Sequence, residues 1–386
     1  MLGLWALAFA AAVGAFFQLT DSSANSSAAT SILLSAAGLF FIGLLLFPSA
    51  FYAFQHITGR PKPQTKLPGS SFALIIFLLP LALGLGQLIS NQNFAWLALP
   101  PLHLVATALA VAWLLWLALR GLQPGSAQRA WGAFGSGLTL TPFFAFAIEI
   151  TGIVILLIFV IIYIGLNPEL ARAFESASRL AERLGPDSRQ MLEALQPVFS
   201  DPFLIILFLG SLSLIVPLIE ELLKPIGVYL LLGRRLNPSQ GFALGAICGA
   251  GYALVESLMT SAGPEAWAST SAARVGTSAM HIFTAALSGY ALVRAKNERR
   301  YLQLAGTYLT NVALHGLWNV MAVLSTAAAL GLGDQNGFVP AHLIVSSWIV
   351  LFVLAIGSIV LLNVSNHRLR AAAVPITRKV RSTSRR

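Results

Sequence analysis

Residues 203–233 read FLIILFLGSLSLIVPLIEELLKPIGVYLLLG. A helix crosses a hydrocarbon core with roughly 20 mostly apolar residues, and this run exceeds that length. It nevertheless carries Glu220, Glu221 and Lys224 in its interior. A charged side chain at mid-bilayer costs at least ~2.5–3.5 kcal/mol, so three in one span need a reason. The rest of the chain has the same solvent preference. Its 386 residues are 57% hydrophobic and only 10% charged, with a mean hydropathy of +0.78. Soluble proteins carry about 25% charged residues. That balance excludes a soluble enzyme and a disordered chain, and the single cysteine, Cys248, excludes a disulfide-stapled scaffold. The expected fold class is all-α, a polytopic membrane helical bundle.

Working outward, ten runs are long and apolar enough to span: 2–19, 32–55, 71–90, 101–119, 140–165, 203–233, 241–262, 274–293, 302–330 and 341–363. None alternates with period two, which argues against a β-barrel. Most of the 24 Lys and Arg residues fall on one side of such a bundle, in alternate connections and in the tail. Examples are Arg60/Lys62/Lys66, Arg120/Arg129, Arg234/Arg235, Arg294/Lys296/Arg299/Arg300 and Arg368 to Arg386. Cytoplasmic loops carry this excess, so both termini are expected in the cytoplasm of a plasma-membrane protein. Met1-Leu-Gly-Leu-Trp5 lacks a basic n-region, so the first span reads as a retained helix rather than a cleaved signal. The basic tail reflects the same rule, with attraction to anionic lipid adding to it, and its lack of interleaved aromatics argues against nucleic acid.

The expected organisation is an N-terminal five-helix region over 1–165, an extracytoplasmic loop over 166–202, a four-helix core over 203–332, a last span within 333–363 and a basic tail over 364–386. In the loop, Leu170, Phe174, Ala181 and Leu184 recur at helical spacing and Pro186 interrupts. Two short amphipathic surface helices are expected there.

Buried charge is concentrated in the core region. The first five spans offer only Glu149, whereas the next four hold Glu220, Glu221, Lys224, Glu256, His281 and His315, with Arg274 near an outer end. Glu220, Glu256, His281 and His315 stand 13 to 16 residues from Arg234, Gln240, Arg294 and Arg300 at the basic ends of their helices. At ~1.5 Å per residue all four lie ~20–24 Å deep, although the helices alternate in direction. One polar site is expected there. Lys224 can pair with either neighbouring glutamate, at i,i+4 or i,i+3. Adjacent glutamates point ~100° apart, so their roles should differ. Gly241, Gly245 and Gly249 form a stripe toward Tyr252 and Glu256 that lets another helix approach closely. Arg274, Ser278 and His281 share a face, as do Asn311, His315 and Asn319.

Two chemistries fit this set. Glutamates in low dielectric can act as general bases on water. Alternatively His281, His315 and one glutamate, Glu220 or Glu256, can hold Zn²⁺ with water in the fourth position. Both end in water attacking a carbonyl. A proton-coupled transporter is the other class that uses buried Glu/His chains. It predicts an inverted repeat, and residues 1–200 hold no second Glu-Glu segment. HExxH and G-x-S-x-G are missing, and the GxGD-like Gly331-Leu-Gly-Asp334 falls in a loop.

The ordered set Glu220-Glu221-x-x-Lys224, Tyr252-x-x-x-Glu256, His281 and His315-x-x-x-Asn319 resembles the PrsW-type intramembrane proteases, a group related to the CAAX-processing and bacteriocin-processing (Abi) membrane proteases. The resemblance covers about 217–320. Tyr252 stands where the family usually has Phe, and Asn319 where an HxxxD pattern has Asp. The resemblance implies hydrolysis of a peptide bond in or beside the membrane, in a membrane-protein or peptide substrate. It assigns catalysis to Glu220, Glu221, Glu256, His281 and His315, with Lys224, Tyr252 and Asn319 in support, and Arg274 joins them from its place on the His281 face.

Overall fold

The computed structural model describes residues 1–20, 26–61, 63–184, 189–260, 263–329 and 340–373. Pro186, the Gly331–Asp334 stretch and the basic tail past Ala373 lie outside the described residues. Among those described, helices account for nearly all the regular structure, and the fold is an all-α polytopic bundle. The helices are α1 (Leu2–Thr20), α2 (Ser26–Ile57), α3 (Leu78–Ile89, preceded by a 3₁₀ segment Ser70–Phe77), α4 (Ala95–Leu119), α5 (Ala127–Leu138), α6 (Leu140–Leu166), α7 (Pro168–Leu184), α8 (Arg189–Ala194), α9 (Gln196–Phe199), α10 (Pro202–Gly210), α11 (Val216–Leu223), α12 (Ile226–Leu231), α13 (Pro238–Met259), α14 (Trp267–Glu298), α15 (Tyr301–Ala329) and α16 (Ala341–Ala373).

Among the described residues all ten apolar runs coincide with helical segments, and eight of those segments are long and apolar enough to cross a membrane. α14 and α15, at 32 and 29 residues, are not among the eight. They carry His281 and His315, and polar side chains such as these lower their hydropathy. The described residues of the 166–202 region hold three helices, α7, α8 and α9, where two are expected, and α7 is strongly amphipathic.

Two compact units make up the chain. One comprises Met1–Pro142, Glu221–Leu309 and Val353–Arg386, and the other Phe143–Glu220 and Thr310–Phe352. Within the first, α13 is the centre. Its residues from Gly241 to Leu254 are all buried, and an Asn237/Gln240 capping box fixes its start. A Cβ at Gly241 would stand 2.5 Å from the Gly289 carbonyl oxygen, and one at Gly249 2.6 Å from that of His281. Only glycine permits this approach of α13 to α14. On its other side α13 meets α5, where a Cβ at Gly251 would stand 2.7 Å from the Phe134 carbonyl oxygen. The second unit holds most of α6, then α7 to α10 and the run to Glu220, with the later part of α15 and the first part of α16. Its exposed Ile153, Ile155, Ile158, Ile162, Ile206 and Phe208 suit contact with lipid.

Candidate active site

In the first unit the site begins at the C-terminal end of α11, where Pro225 follows Lys224 and breaks the helix. Lys224 Nζ lies 2.5 Å from Glu221 Oε1, and both side chains are fully buried. The i,i+3 pairing that the spacing allows is thus formed. An isolated charge there would carry a large desolvation cost, which the pairing offsets. The ammonium also stands 5.3 Å from the Tyr252 ring centroid, within cation–π range. Tyr252 in turn meets His281 edge-on at 5.2 Å.

His281 is fully buried, and its Nε2 lies 2.5 Å from Glu256 Oε2. The same carboxylate receives Arg274, whose Nη1 donates to Glu256 Oε1 at 3.1 Å and whose Nη2 lies 2.8 Å from Oε2. Arg274 Nε donates to Ser257 Oγ at 3.2 Å, and Ser257 Oγ lies 3.2 Å from Ser278 Oγ. The face predicted to carry Arg274, Ser278 and His281 therefore forms, turned toward Glu256 and Ser257 of α13. The sequence put Arg274 near an outer end without a partner. Because α13 and α14 are antiparallel neighbours, the last turns of one lie beside the first turns of the other. Ser257 is the participant that sequence reasoning missed; its only signal is adjacency to Glu256.

In the second unit Glu220 and His315 are both buried, with Glu220 Oε2 3.7 Å from His315 Nε2. That separation exceeds a hydrogen bond. It is close to the ~3.3 Å between two ligands of one tetrahedral zinc, each ~2.0–2.1 Å from the ion. The carboxylate–imidazole donor pair thus fits a shared cation. Ahead of Glu220 the backbone widens into a π-helical turn, Ser211–Ile215, a feature frequent at functional sites. Asn319 Nδ2 donates to the Leu212 carbonyl in that turn at 2.9 Å, and Gly316 leaves room for the Ser213 carbonyl. Asn319 thus ties α15 to the 211–215 turn, one helical turn beyond His315. Asn311, the third member of that predicted face, is fully buried. Glu149 lies beside Ser211 and Ile219 in a separate apolar cleft of about 410 Å³.

Glu220 and Glu221 point to different partners, His315 and Lys224, as their ~100° divergence requires. Residues 189–359 match the model of the PrsW family intramembrane metalloproteases. The matched region holds all nine residues singled out from the sequence, Glu220 to Asn319. No curated protein matches the chain, and no solved structure does.

Proposed function

We propose that the chain is an intramembrane peptidase in which Glu220, His281 and His315 hold a divalent metal, with zinc as the first candidate. The observation that carries this reading is the split between two consecutive glutamates. Glu220 stands with one imidazole, Glu221 stands with Lys224, and the peptide bond keeps their Cα atoms ~3.8 Å apart. The donor set is one carboxylate and two imidazoles, all buried, which is a His₂Glu combination of the kind found in catalytic zinc sites. The match to an intramembrane metalloprotease family supports the same assignment.

A metal bound there would lower the pKa of its water and polarise the scissile carbonyl. The remaining steps belong to this chain's residues. Glu221, beside the ligand Glu220, accepts the proton of the attacking water, as the glutamate next to a ligand does in H-E-x-x-H proteases. Lys224 holds that carboxylate in place. As the C–O bond forms and the C–N bond breaks, the proton passes to the departing amine. Glu256 faces His281 Nε2, which fixes the ring and turns Nδ1 away from the carboxylate. Arg274 compensates the charge of Glu256. In this reading the catalytic helices are those of 203–332, and both termini lie in the cytoplasm.

The purified protein should contain about one equivalent of metal, lost on chelation together with cleavage of a membrane substrate. Glu220→Ala and His315→Ala should lose both metal and cleavage, whereas Glu221→Gln should keep metal and lose cleavage. Retained cleavage in all three variants would end the proposal.

A further inference from the structure

A second polar cavity lies in the first unit, at the opposite end of α13 from Glu256. It encloses about 450 Å³, and its lining includes His56, Gln64, Gln128, Arg129, Arg234 and Gln240. Its charge is one-sided. The chain holds no Asp or Glu between Asp21 and Glu149, nor between Glu221 and Glu256, so none of the lining segments brings an acid. Among the described residues neither guanidinium makes an ion pair. Lys296 adds a cation nearby, since its ammonium donates to the carbonyls of Leu232 and Arg234.

The walls are also fixed in place. Thr65 donates to the Gly125 carbonyl through both its backbone nitrogen, at 3.1 Å, and its hydroxyl, at 2.9 Å. Ala127 N donates to the Pro63 carbonyl at 2.8 Å, and Gln64 forms an antiparallel bridge with Ser126. Gly125 makes the turn at φ +105°, a conformation that favours glycine. The Asn237/Gln240 capping box sets the remaining wall. Loops that merely carried positive charge into the cytoplasm would not need to be pinned to one another around a concavity.

We infer that this cavity binds a phosphate-bearing anion. Two guanidiniums offer the planar, paired donors that phosphate oxygens accept. The three glutamine amides can donate to and accept from the hydroxyl or ester oxygens of the same ligand. The volume is that of a small-molecule site, with room for an esterified phosphate rather than the bare ion. Such a ligand can be an anionic lipid headgroup, as in basic pockets at the cytoplasmic membrane face, or a soluble phosphoester.

The test uses the full-length protein in two arms. In neutral detergent it is titrated with glycerol 3-phosphate by calorimetry. In phosphatidylcholine nanodiscs with about 10% phosphatidic acid, retained lipid is counted by native mass spectrometry. Arg129→Gln/Arg234→Gln is compared with Arg385→Gln/Arg386→Gln, which removes the same charge from the tail. Binding in the first arm identifies a soluble ligand, and retention in the second alone identifies a headgroup. In the arm that binds, the cavity variant should weaken binding at least tenfold, and the tail variant less than about twofold. Binding in neither arm, or equal weakening by both variants, would overturn the assignment. The readouts involve no proteolysis, so they stand or fall separately from the peptidase reading.

Discussion

The candidate residues of the two units stand in opposite surroundings. In the most apolar stretch of α13, 83% of the residues are buried, against 6% in the most apolar stretch of the run that leads up to Glu220. Around α13 the candidate side chains are clamped by backbone-to-backbone packing and by ion pairs. Lys224–Glu221 and Arg274–Glu256 are both of this kind. Around Glu220 the neighbouring helices turn isoleucines and phenylalanines outward, and the described ties to the π-helical turn are the Asn319 hydrogen bond and the close approach of Gly316 to the Ser213 carbonyl. One environment fixes charge by excluding everything else. The other presents a buried carboxylate and a buried imidazole from lipid-facing helices.

The largest effect should come from breaking a buried pair in the clamped unit. Lys224→Met leaves Glu221 buried without its cation and should cost about 3–5 kcal/mol, read as loss of folded yield and Tm in detergent. Adding Glu221→Leu should recover most of that stability while cleavage stays absent. If the double variant is as unstable as the single, Lys224 stabilises through something other than the pair.

Next in size is the glycine seam. Gly249→Val pushes a branched side chain into the His281 carbonyl and should destabilise by about 1–3 kcal/mol or more, with activity lost alongside. Gly152→Val, in the second unit, meets open space and should leave Tm within about 1 °C of the wild type. Equal effects at the two glycines would erase the distinction between clamped and lipid-facing environments.

A smaller stability change, with a larger change in rate, is expected at Asn319. Asn319→Leu removes the donor to the Leu212 carbonyl and should cost about 1 kcal/mol. If the π-helical turn positions Glu220 through α15, cleavage should fall well beyond what the lost folded fraction explains. Asn319→Gln, which keeps an amide, should recover part of it.

These contrasts also mark what could be read in advance. The spans were legible because hydrocarbon thickness demands long apolar runs. The catalytic candidates were legible because charge at that depth is costly, so each of Glu220, Glu221, Lys224, Glu256, His281 and His315 stood out. α5 was not legible. Its sequence, AQRAWGAFGSGL, is short, polar and glycine-rich, and its place is set by glycine contacts with α13 that no local pattern reveals. The reach of α16 as far as Ala373, ten residues beyond the apolar run ending at 363, was equally hidden, since a helix can leave the membrane without changing its backbone. The π-helical turn of Ser211–Ile215 depends on one extra residue per turn, which composition does not encode. The Arg274–Glu256 pair needed only the knowledge that α13 and α14 are antiparallel neighbours.

The smallest expected effect sharpens the comparison, because it concerns the same kind of ion pair placed in water. At the C-terminal end of α14, Arg294 Nε donates to Glu298 Oε2 at 2.9 Å, and Arg300 Nε lies 3.1 Å from the same oxygen. The hydrogen bonds from Arg294, ahead of the charges of Arg294 and Arg300, hold the Glu298 carboxyl below its ordinary range. A group with a lowered folded-state pKa contributes stability above its unfolded value and loses it as pH falls through the folded one. Glu298→Gln should therefore lower Tm slightly at pH 7, and the difference should close as the pH falls below the usual carboxylate range. Raising the salt should shrink the difference at pH 7 as well, because exposed pairs are screened. Lys224–Glu221 has the same chemistry but no solvent around it, so Lys224→Met should keep its full cost in high salt. If salt weakened both alike, water would be reaching the buried pair, and the enclosure argued for the α13 side of the site would be wrong.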